Sequence, residues 1–544
     1  MGHSTRYRQG IVVARFAVAV AACLLAAVGE ASSSSCVGFD LHHRSSPVVR
    51  RWAEARGHPA LAAEWPAKGS PEYYSELSRH DRAHLARRGL AGAAANGGLV
   101  TFAAGNDTYR IADLGFLYYA AVELGTPNAT FMVALDTGSD LFWVPCDCKQ
   151  CAAIRNDTGL HPYSPRLSST SKPVTCADAL CDRPNACGGA ANGSCPYAVQ
   201  YVSANTSSSG VLVQDVLHLT RESELGAAAA PLQAPVVLGC GQVQTGIFLE
   251  GGAFDGLLGL GMDKVSVPSV LAATGVVAAN SFSMCFSRDG VGRINFGDAG
   301  SRGQSETPFI VSNTHPTYNV SFTAINVEDK SVPVGFTAVM DSGTSFTYLN
   351  DPEYTQLATN FNSQIHERRA NFSTAAGDSL PFEYCYALSP NQTEVEIPVV
   401  SLTAAGGALF PVTRPIIGFG DSTGNPIGYC LAILKSDIPI NIIGQNFMTG
   451  LKVVFDRERS VLGWQKFDCY KNARTADDAQ GAGGSPSSAP APTGLTPEHN
   501  GANTSYPGAA PLPPRRSAGS RNAAGALGGT SLLLPLLLGA ALVV

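Results

Sequence analysis

Val133-Ala134-Leu135-Asp136-Thr137-Gly138-Ser139 and Ala338-Val339-Met340-Asp341-Ser342-Gly343-Thr344-Ser345 are two copies of one pattern. In each, an apolar run ends on an aspartate followed by a small hydroxyl residue and glycine. Such a run reads as a strand that delivers a carboxylate into a tight turn, where the hydroxyl can bond neighbouring backbone and glycine admits close approach. Taken singly, Asp-Thr-Gly marks no more than a turn. Its recurrence argues for two halves that present two acids to each other.

The companions recur as well. Gly256-Leu257-Leu258-Gly259-Leu260-Gly261 follows the first acid, and Asn441-Ile442-Ile443-Gly444-Gln445-Asn446 follows the second, each roughly a hundred residues downstream. Two apolar residues and a glycine at comparable distance in both halves point to an internal duplication.

The two acid motifs, Phe142-Trp143-Val144 and the paired apolar-apolar-Gly echoes together resemble the pepsin-like aspartic proteases. The segment around Cys146, Cys148 and Cys151, the Gly239-Cys240-Gly241 signature and the Asn205-to-Gly210 run are similar to the plant aspartyl protease branch. The resemblance covers residues 106 to 470, with an echo upstream from Tyr73-Tyr74 to His80-Asp81-Arg82.

That resemblance implies an all-β, bilobal fold with a central cleft. Residues 106–300 form its N-terminal catalytic lobe and residues 301–470 its C-terminal one. The residues themselves agree, because from Tyr118 onward short Val, Ile, Leu, Phe and Tyr runs alternate with Gly, Asn, Asp and Pro. Phe131–Leu135, Val211–Leu219, Val236–Gly239, Val291–Phe296, Tyr318–Ile325 and Leu451–Phe455 read as strands, and only Ser266–Ala273 and Pro352–Asn362 read as helices.

The chemistry expected of Asp136 and Asp341 follows from their charge. Two carboxylates in close contact do not both ionise readily, so the pair shares a proton and holds one acid ready as base and one as proton donor for an attacking water. Which acid plays which part belongs to the pair and is left open. The resemblance implies that Thr137 and Ser342 reach across to the opposite turn. It also implies that Ser139 and Thr344 bond the outer carboxylate oxygens, and that Gly138 and Gly343 keep the approach open. It further implies a hairpin over the cleft, carrying Tyr201 ahead of a Val202-to-Gly210 loop, with its hydroxyl facing Trp143. In the second lobe it pairs Cys385 with Cys430. No metal or organic cofactor is required. The Cys146-x-Cys148-x-x-Cys151 spacing offers a zinc reading, but no second ligand pair accompanies it.

Composition bounds the setting. The chain has 544 residues and a net charge of only −6, so it is long enough for more than one lobe and carries no electrostatic footprint for nucleic acid. Arg6, Arg8 and Arg15 precede an apolar stretch and small residues at Gly29-Glu30-Ala31, which makes residues 1–31 a secretory signal. The resemblance implies that residues 32–105 are an inhibitory propeptide, whose basic groups can lie over the acidic cleft; the alternative is an unstructured N-terminal extension. Residues 471–521 are a Pro/Ala/Gly/Ser-rich stalk, and residues 522–544 read as the signal for a glycosylphosphatidylinositol anchor attached at Asn522, with Ser517 behind it.

Of fourteen cysteines, removal of Cys23 and Cys36 leaves twelve, an even number suited to an oxidising route. Sequons stand at Asn106, Asn128, Asn156, Asn192, Asn205, Asn319, Asn371, Asn391 and Asn503. The expectation is a monomeric acid endopeptidase on the outer face of the plasma membrane, with an extended polypeptide as substrate. The alternative is an inactive surface binding or inhibitor protein that keeps the fold.

Overall fold

The first acid-bearing run forms the strand Ala129–Asp136 and the second the strand Lys330–Met340 in the computed structural model, which describes residues 36–57, 66–93 and, with short gaps, 118–467. The signal, stalk and anchor expectations, Asn522 included, lie outside the described residues.

The duplication inferred from sequence is written in the strand pairing. Ala129–Asp136 lies antiparallel to Tyr118–Leu124 and parallel to Leu257–Gly259, with Asp136 opposite Gly259. Lys330–Met340 lies antiparallel to Asn319–Val327 and parallel to Asn441–Ile443, with Met340 opposite Ile443. The strand after each acid then turns back along the same inserted partner: Trp143 pairs with Leu257 in one half and Tyr348 with Ile442 in the other. A fourth strand runs parallel to it in both halves, Ala230–Thr245 in the first and Ile433–Lys435 in the second. Each apolar-apolar-Gly echo is therefore the short strand threaded between the two arms of its acid loop.

Glycine ends each of these threads for want of space. A Cβ on Gly259 would lie 2.4 Å from the Asp140 carbonyl carbon, and one on Gly444 2.1 Å from the Phe346 carbonyl oxygen. The Gly239-Cys240-Gly241 signature has a comparable cause. Gly239 faces the Tyr197 ring, Gly241 faces the Val144 carbonyl, and Cys240 between them is bonded to Cys146.

Strands from both halves close one base. Ser281–Phe286 pairs with Leu451–Asp456, which pairs with Val461–Lys466, which in turn pairs with Ser305–Ile310. One apolar cluster runs through both halves, and a smaller one gathers Trp143, Tyr197, Phe248 and Phe254 in the first. The helices of this body are Val267–Ala273, which starts after Ser266, Glu353–Asn362, which starts after Pro352, and the short Gln445–Met448. The first two match the runs read from sequence to within a residue.

The leading segment is folded onto this body. Val37–His43 adds a strand to Val291–Phe296, and helix Pro47–Arg56 sinks Val49 and Ala53 into the smaller cluster. That helix has local reasons to form: Ser46 accepts from the Val49 N–H, Pro47 opens the first turn, and Gly57 closes it at φ 84°. A second helix spans Pro71–Ala93.

Candidate active site

Asp341 follows directly on its strand and is fully buried, whereas Asp136 is half-buried at the end of its own. The Asp341 carboxylate is held from two sides. Oδ1 accepts from the Gly343 N–H at 3.0 Å, and Oδ2 accepts from the Thr344 hydroxyl at 2.5 Å. Charge-assisted bonds of this kind fix the plane of the carboxylate. Its backbone is tied to the threaded strand, with the Asp341 N–H donating to the Ile443 carbonyl at 3.0 Å.

The first turn is held from a matching direction. Leu260 N–H donates to the Asp136 carbonyl at 2.9 Å, and Gly261 N–H to the Ser139 carbonyl at 2.8 Å. Ser139 differs from expectation: its buried hydroxyl has no hydrogen-bond partner among the described residues, the Asp136 carboxylate included. The residue is anchored through its carbonyl, which leaves the hydroxyl undirected. Thr137 and Ser342 are both buried. Gly138 lies outside the described residues.

A hairpin pairs Pro196–Gln200 with Ser207–Arg221, with Gln200 opposite Ser207. The returning strand starts at Ser207, four residues before Val211, so the loop is shorter than the sequence suggested. Tyr201 and Asn205 lie in that loop, outside the described residues. Trp143 is fully buried with its ring 4.9 Å from Phe248, and the nearby Tyr197 hydroxyl shares a 2.8 Å hydrogen bond with Ser208.

Sequence reading gave no role here to Asp81. This residue of the leading helix is fully buried, and its two carboxylate oxygens accept from the N–H groups of Ser345 and Phe346 at 2.8 and 2.9 Å, immediately after the Asp341 turn. The leading segment was expected to set basic groups over the cleft; the group found beside this acid turn is a carboxylate. The physical reason is local, since two adjacent backbone donors point outward there and attract an anion rather than a cation. The same helix is pinned further along, where Tyr74 donates to the Gly418 carbonyl and Glu72 accepts from the Ala375 N–H.

A second anchor holds the other leading helix. Asp255, just ahead of the first apolar-apolar-Gly echo, is buried with Arg56 at 2.7 Å and accepts from the Trp52 indole. It also accepts from the Met132 N–H of the first acid-bearing strand. Burial pushes the Asp255 carboxyl above the usual carboxylate range, and the Arg56 charge acts against that.

Ten of the described cysteines are paired with one another. Cys146–Cys240, Cys148–Cys151, Cys176–Cys187, Cys181–Cys195 and Cys385–Cys430 are disulfides, so the sulfurs of the Cys146-x-Cys148-x-x-Cys151 segment are bonded to sulfur rather than free as thiolate ligands. Of the sequons, Asn128, Asn192 and Asn371 are exposed and Asn319 is half-buried; Asn106, Asn156, Asn391 and Asn503 lie outside the described residues. No helix among the described residues is long and apolar enough to cross a membrane.

Comparison with known proteins agrees with this arrangement. Residues 118–298 match the family model described as xylanase inhibitor N-terminal, and residues 317–466 match xylanase inhibitor C-terminal. Aspartyl protease family protein 1 of Arabidopsis thaliana is 47% identical over 466 residues, which is 85% of this chain and 87% of that protein. Aspartic proteinase-like protein 1 of the same plant is 37% identical over 467 residues, covering 83% and 84%. The crystal structure of edgp matches with a TM-score of 0.50 at 17% identity, over 64% of this chain and 91% of that one, a likeness of fold.

Proposed function

The chain belongs to the pepsin-like aspartic proteases, in their plant aspartyl protease branch, and is an aspartic endopeptidase; from that premise we propose that Asp136 and Asp341 are its catalytic pair. They share a proton and activate one water: the ionised carboxylate takes a proton from the water as its oxygen attacks the peptide carbonyl, and a proton from the dyad passes to the leaving nitrogen as the C–N bond breaks. The observation that carries this reading is the matched delivery of both acids, each by a strand paired to its own threaded Gly-terminated partner. A dyad that shares one proton works where one carboxyl stays protonated, hence in acidic fluid. Cleavage of an unfolded protein at acidic pH by the wild type, and its loss in Asp136→Asn and Asp341→Asn, tests the assignment.

One family model that matches bears the name of a xylanase inhibitor, which keeps the inactive alternative in view. The intact second motif, with Asp341 held by both Gly343 and Thr344, favours the enzyme. The substrate is an extended polypeptide in the cleft, covered by the Pro196–Arg221 hairpin with Tyr201 near its tip.

Residues 32–105 act as an inhibitory prosegment. Its support is the Asp81 clamp beside the Asp341 turn, together with the Arg56–Asp255 ion pair, which is buried on both sides. This prosegment carries its own acid trigger in His43, which is buried against Tyr118 and takes the Ser45 N–H on Nδ1 at 3.2 Å. Burial first, then the charges of His80, Lys68 and Arg44, lowers the His43 pKa to about 3 from 6.5. The bound form therefore resists protonation and the released form does not. The His43 contribution to docking is at full strength above pH 6.5 and weakens as pH falls through the window from 6.5 to about 3, while the raised Asp255 carboxyl acts in the opposite sense. Glu72, held by the Ala375 N–H and lowered from 4.5, acts in the same direction as His43 at lower pH. At pH 4.5 the prosegment is expected to bind roughly a hundredfold more weakly than at pH 7 on account of His43. His43→Asn keeps an acceptor for Ser45 and removes the titration, so its prosegment release, followed by limited proteolysis against pH, should lose most of that slope. An unchanged pH profile would rule His43 out as the trigger.

The signal at the beginning of the chain, the disulfides and the sequons support passage through the secretory route. A glycosylphosphatidylinositol anchor at Asn522 would then hold the enzyme, as a monomer, at the outer face of the plasma membrane. Treatment of intact membranes with phosphatidylinositol-specific phospholipase is expected to free it; retention on the membrane counts against the anchor.

A further inference from the structure

Two acids on two separate halves must be kept in register, and one residue bonds the supports of both, one with its carbonyl and the other with its side chain. Tyr318 opens the second half, directly before the strand Asn319–Val327. Its carbonyl accepts from the N–H of Met340, the residue before Asp341, at 2.9 Å. Its hydroxyl donates to the Leu260 carbonyl at 2.7 Å, and the Leu260 N–H donates to the Asp136 carbonyl at 2.9 Å. Three hydrogen bonds thus lead from the neighbour of one acid to the backbone of the other, and Tyr318 supplies two of them.

The ring between those bonds has no freedom. It is 1% exposed and packed among Phe282, Phe309 and Phe455, with centroids 5.9, 5.5 and 4.7 Å away. Burial pushes the phenol pKa up, and the buried Arg457 guanidinium and Asp140 carboxylate add opposing smaller effects. The hydroxyl stays a proton donor across any working pH. The corresponding place in the first half is Tyr118, since Tyr119 lies opposite Ala134 as Asn319 lies opposite Val339, two residues before each acid. The Tyr118 ring is packed on Phe286 and the leading segment's His43.

We propose that Tyr318 is a positioning residue that sets the separation of the Asp136 and Asp341 carboxylates by joining the Met340 and Leu260 backbones across the two halves. The proposal rests on the two-acid reading above. Without the hydroxyl the Leu260 carbonyl is left unpaired in the interior and the first acid turn is free to move away from the second. Two acids held further apart repel less, so their two apparent pKa values draw together.

The test is Tyr318→Phe in the full chain activated at acidic pH, with active sites counted by a transition-state-mimicking inhibitor and Asp136→Asn as control. Per titrated site, kcat is expected to fall about tenfold with KM within about twofold, because a misplaced pair still binds substrate but reacts slowly. The bell of kcat against pH is expected to narrow by about half a unit or more. A fall in Tm with kcat per site and bell width unchanged would overturn the proposal, since it would leave Tyr318 a packing residue. Retained activity in Asp136→Asn would overturn the two-acid reading and this proposal with it.

Discussion

Asp341→Asn is expected to fold with a Tm close to that of the wild type and to lose catalysis by about 10³-fold or more. The fold tolerates the change because of what surrounds the carboxylate. An asparagine can keep its carbonyl oxygen toward the Gly343 N–H and turn its amide toward Thr344, whose hydroxyl accepts as readily as it donates. The Gly343 and Thr344 contacts both keep a partner, which limits the stability cost. The chemistry has no such escape. An amide neither takes a proton from water nor shares one with Asp136, and the dyad ceases to exist. Asp136→Asn should behave in the same way, and the double variant should be little worse than either single one, because residues that act as a unit are not additive. The assay is hydrolysis of an unfolded protein at acidic pH, beside thermal unfolding with and without a transition-state-mimicking inhibitor. Wild type should gain Tm with the inhibitor and the variants should gain less. A variant with normal Tm and undiminished cleavage would remove the two-acid mechanism, and a wild type that neither cleaves nor responds to inhibitor would favour the binding protein.

How much of this was legible beforehand depended on whether a residue's role is local. The strand Ala129–Asp136 was readable because an apolar run and a Gly turn sit side by side in the sequence, and the helix Glu353–Asn362 because Pro352 and its apolar spacing are contiguous. The Cys385–Cys430 bridge followed from the resemblance and is present. Asp81 was not readable as a contact of the Asp341 turn. Its partners lie 264 and 265 residues away, and a lone aspartate in a polar helix carries no mark of the amides it will meet. The pairing of Arg56 with Asp255 was hidden for the same reason. Ser139 shows the converse, for the motif puts a hydroxyl at the right position in sequence and the turn holds the residue by its carbonyl instead. Tyr318 left no signal, because the two repeats differ in spacing ahead of their acids (341 − 318 = 23 against 136 − 118 = 18) and only the strand register brings Tyr318 into correspondence with Tyr118.

Gly444→Ala is expected to be among the most damaging single-methyl changes outside the acids themselves. Gly444 has an ordinary φ of −82°, so backbone conformation does not demand glycine there. Space does. The added carbon would lie 2.1 Å from the Phe346 carbonyl oxygen and 2.4 Å from its carbonyl carbon, and neither is the end of a flexible side chain that could swing aside. Either the threaded strand Asn441–Ile443 retreats from Lys330–Met340, or Phe346 shifts and takes with it the turn that carries Asp341. Overpacking of this kind costs on the order of 3 kcal/mol, and a displacement of about 1 Å at an acid can cost about a hundredfold in rate. Gly259→Ala should do the same to Asp136, since its Cβ would meet the Asp140 carbonyl carbon at 2.4 Å and the Leu141 nitrogen at 2.7 Å. Gly335→Ala is the control, because it lies in the same strand as the second acid motif and a Cβ there meets nothing within 4 Å. Denaturant melts and acid protease assays of the three variants should separate them sharply. The first two should lose several degrees of Tm together with most activity, and the third should stay within about 0.5 kcal/mol of wild type. If Gly444→Ala matched Gly335→Ala in both measurements, the apolar-apolar-Gly echo would not be the wedge that seats each acid, and the duplicated pairing would have lost its mechanical meaning.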